Sequence, residues 1–142
     1  MEILAGKKRK KKKVSTMQMT LKLLRKEGGI PAIVEKVIPF KFIKQDAFGF
    51  VDVVSLHPSQ GEILFVQCTT MANMSSHREK TFTNPNFKAM LEAGGVFEFH
   101  AWRKIKSKKL DGKLSKVGKW ECSRERFDYT YLKDEKKEQA RL

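Results

Sequence analysis

The sequence is poor in the residues that usually announce a site. Two cysteines, Cys68 and Cys122, are spaced for neither a zinc site nor a disulfide framework, and so few fit a reducing compartment. Three histidines, His57, His77 and His100, form no H-x-x-x-H pair. No glycine-rich phosphate loop is present, because Gly28-Gly29 and Gly94-Gly95 sit where helices should stop. There is no run apolar and long enough to span a membrane, and the early basic block lacks the apolar segment of a secretory signal. Cys68 lies in an apolar run with no histidine beside it, which argues against a thiol hydrolase. Acidic residues are also scarce. Sixteen stand against 30 basic ones, for a net charge of +14, and such an imbalance points to a polyanionic partner, most simply nucleic acid. A membrane surface fits less well, since no basic helix has a clean apolar face.

What is present is organised around two apolar runs, Phe48-Gly-Phe-Val-Asp-Val-Val54 and Ile63-Leu-Phe-Val-Gln-Cys-Thr69, joined across His57-Pro-Ser-Gln-Gly61. Runs of this kind bounded by Pro and Gly predict two buried strands of a hairpin. Each carries one polar residue that burial penalises, Asp52 and Gln67, and a buried carboxylate costs several kcal/mol (roughly) unless it is paired. Strand alternation puts Asp46, Phe48, Phe50 and Asp52 on one face, and Gln67 with Thr69 on one face of the neighbour. An acid beside two polar groups suits Mg²⁺, which takes oxygen ligands. The same residues equally suit a buried Asp–Gln hydrogen-bond pair.

Around the hairpin the chain reads as follows. Lys7 to Lys13 is an unbroken basic block, with Lys7, Lys8, Arg9, Lys10 and Lys11 at its start, expected to be a disordered arm over 1–14 that releases counterions on binding polyanions. In a eukaryotic cell it would also serve as a nuclear-import signal; otherwise the expected location is cytoplasmic. Ser15-Thr-Met-Gln18 has the form of a capping box, and Met17, Leu21 and Leu24 recur at helical spacing up to Gly28, predicting a helix from Thr16 to Glu27. Pro31 to Ile38 predicts a first strand in which Glu35 faces with Ile33 and Val37, a second metal carboxylate or an edge charge paired with a lysine. Thr69 to Ser76 reads as loop, His77 to Phe82 as a helical turn or two, and Asn84-Pro85 as the start of a helix ending at Gly94. Val96 to Trp102 alternates as a strand with Phe97, Phe99 and Ala101 on one side, and runs into basic residues beginning Arg103 and Lys104. Asp111-Gly112 signals a turn, Lys119 to Cys122 a short last strand, and Lys133 onward a charged helix or frayed tail. The expected organisation is therefore an arm at 1–14, one domain at 15–131 and a tail at 132–142.

This order of elements, with Asp46-Ala-Phe-Gly-Phe-Val-Asp52 and Val66-Gln-Cys-Thr69, resembles the PD-(D/E)XK nuclease-like superfamily over roughly residues 16 to 104, and its small resolvase-like and phage-type members in particular. The resemblance implies an α/β fold: an αβββαβ restriction-endonuclease-like core with a central mixed sheet flanked by helices, here with a C-terminal strand extension. It implies a Mg²⁺- or Mn²⁺-dependent endonuclease, a hydrolase of DNA rather than RNA, with branched DNA among its substrates, commonly a homodimer in a bacterial or phage-infected cell. Asp52 would be the main metal carboxylate, Gln67 would take the acid position of the acid-x-Lys motif, and the Cys68 carbonyl would complete the shell. Thr69 stands where the family has lysine, and Lys80 on the following helix, with Arg78 close by, is the replacement. Asp46 and Glu35 would restore lost carboxylates. With Gln67 and Thr69 at two signature positions, the alternative is a catalytically inactive nuclease-fold protein that binds DNA or RNA, its contacts drawn from the arm, Arg78, Arg103 and Lys104. Trp102 and Trp120 border the basic stretch and are candidates to stack on bases.

Overall fold

The structure, a computed structural model, describes residues 14–41 and 43–141, with the side chains of Ser115 and Lys116 not included. The basic arm, with Lys7, Lys8, Arg9, Lys10 and Lys11, lies outside the described residues. Helix α1 (Thr16–Lys26) begins as the sequence predicts, with the Ser15 hydroxyl accepting from the Gln18 amide. It stops at Gly28, whose φ of 86° needs no side chain, and the Gly29 amide returns to the Leu24 carbonyl.

A five-stranded mixed sheet follows, built from β1 (Ile30–Ile33), β4 (Val53–His57), β5 (Glu62–Thr70), β6 (Val96–Lys108) and β7 (Leu114–Phe127) in that spatial order. All neighbours are antiparallel except β5 and β6. A parallel pair needs a long crossover. Here it contains a short 3₁₀ turn, α2 (Met74–Phe82) and α3 (Pro85–Glu92). Asn84 caps α3 with its side-chain oxygen on the Asn86 amide, and Pro85 occupies the first turn. The fold class is thus α/β, with helices on both faces of a mixed sheet.

Alternation along β6 divides the interior in two. Phe97, Phe99 and Ala101 point to one side, where they meet Phe50, Phe87, Met90, Leu91 and Leu132. Phe97 and Phe99 are fully buried with ring centroids 4.8 Å apart at near-right angles, an arrangement favoured by the ring quadrupoles. On the other side Leu21 and Leu24 of α1 pack on Val53, Leu64, Val66 and Val96. The α1 side also buries a polar set. Glu98 accepts from Arg124 Nε at 2.8 Å and lies 2.9 Å from His100 Nε2; Thr20 Oγ1 lies 3.3 Å from His100 Nδ1 and accepts the Trp102 indole N–H at 2.9 Å. Trp102 is therefore a packed residue and cannot stack on bases.

Four sequence expectations change. The first strand ends at Ile33. Its continuation leaves the sheet and forms a separate ribbon of β2 (Lys36–Ile38) with β3 (Ile43–Gln45), turning at Phe40, so Glu35 lies between strands and Val37 is exposed. Phe48 to Val51 is no strand. Phe48 and Gly49 take φ of 57° and 91°, Ala47 bridges back to Val51, and the strand begins at Val53. Phe48 is consequently exposed while Phe50 is fully buried, so Asp46, Phe48, Phe50 and Asp52 do not share one face. The segment after Thr70 folds as a turn and the full α2 instead of a loop. Finally β7 runs 14 residues, and α4 (Tyr129–Ala140) crosses the expected boundary at 131/132, with Leu132 buried in the core.

The polar set makes stability pH-dependent. Burial pushes the Glu98 carboxyl up, but hydrogen bonds from His100 and Arg124 outweigh it and hold the group down at about 2. A depressed carboxyl contributes stability above its unfolded pKa, which is lost as pH falls from about 4.5 toward 2. Glu98→Gln should lower unfolding stability at pH 7 by about 3 kcal/mol, the order expected when one partner of a buried ion pair is removed. Urea unfolding at pH 7 and pH 3 measures it, and the loss should be smaller at pH 3.

Candidate metal centre

The bend at Phe48-Gly49 builds the site. Asp46 precedes it and Asp52 follows it, so the reversal returns Asp46 to Asp52. A side chain on Gly49 would meet Asn84 Nδ2 at 2.6 Å, and that amide donates to the Phe48 carbonyl at 3.0 Å, so the bend is closed down onto the start of α3. Asp52 sits one step before the Val53–Val66 pair, and its amide bonds the Val66 carbonyl at 2.9 Å. That register places it opposite Gln67 on the face covered by α2. The Asp52 carboxylate accepts the Cys68 amide N–H at 2.8 Å. The Val34 amide donates to the Asp52 carbonyl at 2.9 Å and brings Glu35 alongside.

The result is a cluster in which carboxylate oxygens of Glu35, Asp46 and Asp52 all lie within 4.8 Å of one another. Lys80, projecting from α2, places Nζ 3.1 Å from Asp46 Oδ2. Thus Lys80 reaches the carboxylates from the helix after β5. Burial, a hydrogen bond with Asp46 and the charges of Asp46 and Glu35 push the Asp52 carboxyl up to about 8, although the Cys68 amide opposes this. Three oxygen donors this close could hold a metal ion, which would relieve their mutual repulsion. Cys68 itself is no nucleophile, since burial pushes its thiol up to about 12.

The remaining predicted residues fall in different places. Gln67 is fully buried, with its side-chain oxygen accepting from Thr81 Oγ1 at 3.0 Å and its amide nitrogen buried without a partner among the described residues. It stands beside Asp52 but its oxygen is committed to α2. Thr69 is buried and its hydroxyl donates to the Thr70 carbonyl at 3.2 Å. Arg78 points away, ion-paired with Glu125 of β7. Arg103 lies 3.8 Å from Glu121, and Lys104 lies along Gly118. Both belong to the extension of β6 and β7 rather than to the cluster.

His77 was not singled out as a site residue from sequence. It lies one turn before Lys80 and Thr81, at the i, i+3, i+4 spacing that shares a helix face. Its Nδ1 is buried without a partner among the described residues, and burial and then Lys80 hold its pKa below the usual value, against the pull of Asp46. The spacing was readable in the sequence, but the fold of α2 over the cluster was not.

A carboxyl raised in the folded state contributes stability that is present below its unfolded pKa and lost as pH rises through its folded value, here from about 4 to about 8. In EDTA the melting temperature should therefore decline toward pH 8 and above. Mg²⁺ should raise it more at pH 8.5 than at pH 6, because binding requires the ionised carboxylate. Asp52→Asn, which keeps the bond from Cys68, should flatten both dependences in thermal denaturation. Equal Mg²⁺ shifts in the two proteins would place the cation elsewhere. The chain matches no family model, no curated protein and no solved structure.

Proposed function

We propose that the protein is a nucleic-acid-binding endonuclease that hydrolyses DNA phosphodiester bonds with Mg²⁺ or Mn²⁺, branched DNA being included among its substrates. The observation that carries this reading is the convergence of three carboxylates with one lysine: Glu35, Asp46 and Asp52 with ligand atoms within 4.8 Å, and Lys80 Nζ 3.1 Å from Asp46. Carboxylates that gather against their own repulsion beside a cationic side chain suit a metal and a phosphate together. The net charge of +14 favours a polyanionic substrate.

The residues divide the work by chemistry. Asp52, fixed by the Cys68 amide, and Asp46, fixed by Lys80, would hold the cation, with Glu35 as the third donor. When bound, the cation would supply Lewis acidity at the phosphate and lower the pKa of a water. Lys80 has its side chain half exposed, so its ammonium is free to turn from Asp46 to a non-bridging phosphate oxygen and offset charge that develops as water attacks phosphorus and the P–O bond breaks. Gln67 would act by packing: its bond to Thr81 locks α2, and hence Lys80, against β5.

A second reading, a nuclease-fold protein that binds DNA or RNA without cutting, is favoured by one observation. Neither Gln67 nor Thr69 presents charge to the cluster, and the oxygens of both are committed to hydrogen bonds within the fold. Cleavage of supercoiled plasmid and of a synthetic four-way junction separates the two. Wild type should cut in Mg²⁺ or Mn²⁺ and not in EDTA. Asp52→Ala should be inactive, and Lys80→Ala should be slower by about 10²-fold or more, the typical effect of losing one charge-stabilising donor. Binding by wild type without cutting in either metal would establish the second reading.

A further inference from the structure

Beyond Trp102 the sheet narrows to two strands. Strand β6 is buried from Val96 to Trp102 and exposed from Arg103 to Lys108, where it pairs only with β7 through Arg103–Glu121, Lys104–Trp120, Ile105–Lys119 and Lys106–Gly118. Six residues of strand project about 20 Å. Between 103 and 119 there are eight Lys or Arg against the single acid Asp111. Lysines also protect a sheet edge against aggregation, but here the positive charge extends over the strands and the turn between them. An isolated two-stranded ribbon has little stability of its own in water, and here it is rooted in the core by the buried Trp102, whose indole N–H is held by Thr20.

Its position matters as much as its charge. The parallel pair runs through Cys68–His100 and Thr70–Trp102, and the ribbon starts at the next residue. Asp52 is bonded to the Cys68 amide. The ribbon therefore leaves the sheet from the same end that holds the carboxylate cluster, three residues or about 10 Å further along.

We propose that this β6–β7 ribbon enters the major groove of duplex DNA and delivers the flanking backbone to the carboxylate cluster. The identity of the polyanion rests on the endonuclease reading; the groove follows from shape. The B-form major groove, about 12 Å wide, admits a two-stranded ribbon, whereas the minor groove, about 6 Å, does not. The major groove of A-form RNA is too narrow and deep for side chains to read. Lys104, Lys106 and Lys119 are exposed along the ribbon and meet phosphates on the groove walls. Arg103, at the root of the ribbon, lies 3.8 Å from Glu121 and is left out of the test for that reason.

The test uses the full chain in EDTA, so that binding is read without hydrolysis. A 20-base-pair DNA duplex and the RNA duplex of the same sequence are titrated by fluorescence anisotropy over a range of salt. Wild type is compared with the triple variant Lys104→Gln/Lys106→Gln/Lys119→Gln and with the corresponding triple Lys→Arg variant. The basic arm is common to all three. For DNA the Gln variant should bind at least about 10-fold more weakly, and its log–log salt slope should fall by about 2 to 3, one phosphate contact per lysine. The Arg variant should restore both. Guanine N7 methylation should interfere with wild-type binding and not with that of the Gln variant. The RNA duplex should bind more weakly than DNA and be little affected by the substitutions. Unchanged DNA affinity and slope in a folded Gln variant, or an equal loss on RNA, would overturn the proposal. If wild type binds in this way but never cuts, the ribbon stands and the endonuclease reading falls. If the Gln variant binds and cuts like wild type, the reverse holds.

Discussion

A carboxylate is buried just before β4 begins, beside the C-terminal half of β5, and one backbone N–H holds it there. The bond from Cys68 to Asp52 fixes the start of β4 against β5, and the neighbouring bonds from Val34 and to Val66 continue the lock on both sides. An acid in this position is costly without partners. Its partners here are themselves acids, Asp46 and Glu35, with Lys80 as the local cation. The arrangement crowds three carboxyl groups into one place at a cost in stability, a pattern characteristic of sites that bind or react. The bend at Gly49 and the seat of α2 are both required for it, since without the first Asp46 does not return and without the second Lys80 does not arrive.

The opposite face of the sheet bears the supporting load. Cys68 of β5, His100 of β6 and Arg124 of β7 stand in one row. Glu98 gathers His100, Arg124 and, at 3.7 Å, Arg126, while Arg124 also reaches Glu27 at the end of α1 and Arg126 reaches Glu62. Hydrogen bonds from His100 and Arg124 hold the Glu98 carboxyl below the usual carboxylate range despite its burial, whereas burial and acidic neighbours push the Asp52 carboxyl above it. The same strands thus carry an acid paired with cations on the α1 side and a group of crowded acids on the α2 side. This contrast locates the candidate chemistry more sharply than burial alone.

Much of this was legible in the residues. The Ser15 cap, the Gly28 stop, Asn84-Pro85 and the alternation of Phe97, Phe99 and Ala101 are local signals, and the structure contains each of them. Asp46 and Asp52 were also read as neighbours, but through strand alternation. They meet instead because the chain reverses at Phe48, a phenylalanine with positive φ that no propensity argument would nominate. Glu35, expected on an apolar strand face, lies between strands, because Ile33 pairs with Val53 and Lys36 with Gln45 in a separate ribbon, a change of partner that strand alternation does not register. The length of β7 was hidden for a related reason. Lys119 to Cys122 reads as a short strand by itself, while flanking residues such as Gly118 and Arg124 do not, and join it by pairing with β6. Lys80 was legible only through family resemblance, while His77, at helical spacing from it, needed the fold.

The two faces also differ in how far apart in the chain their residues lie. Every group of the carboxylate cluster comes from between Glu35 and Lys80, whereas the ion pair of Arg124 with Glu27 closes a separation of 97 residues. Closing a long loop costs chain entropy before its contact offers any return. The cluster can therefore assemble around the β4–β5 hairpin and α2 while β7 is still unpaired. The ionic clasp behind it closes a far longer loop and ties β7 to the end of α1. In a chain emerging from a ribosome, the segment that bears the candidate chemistry precedes the segment that stabilises it.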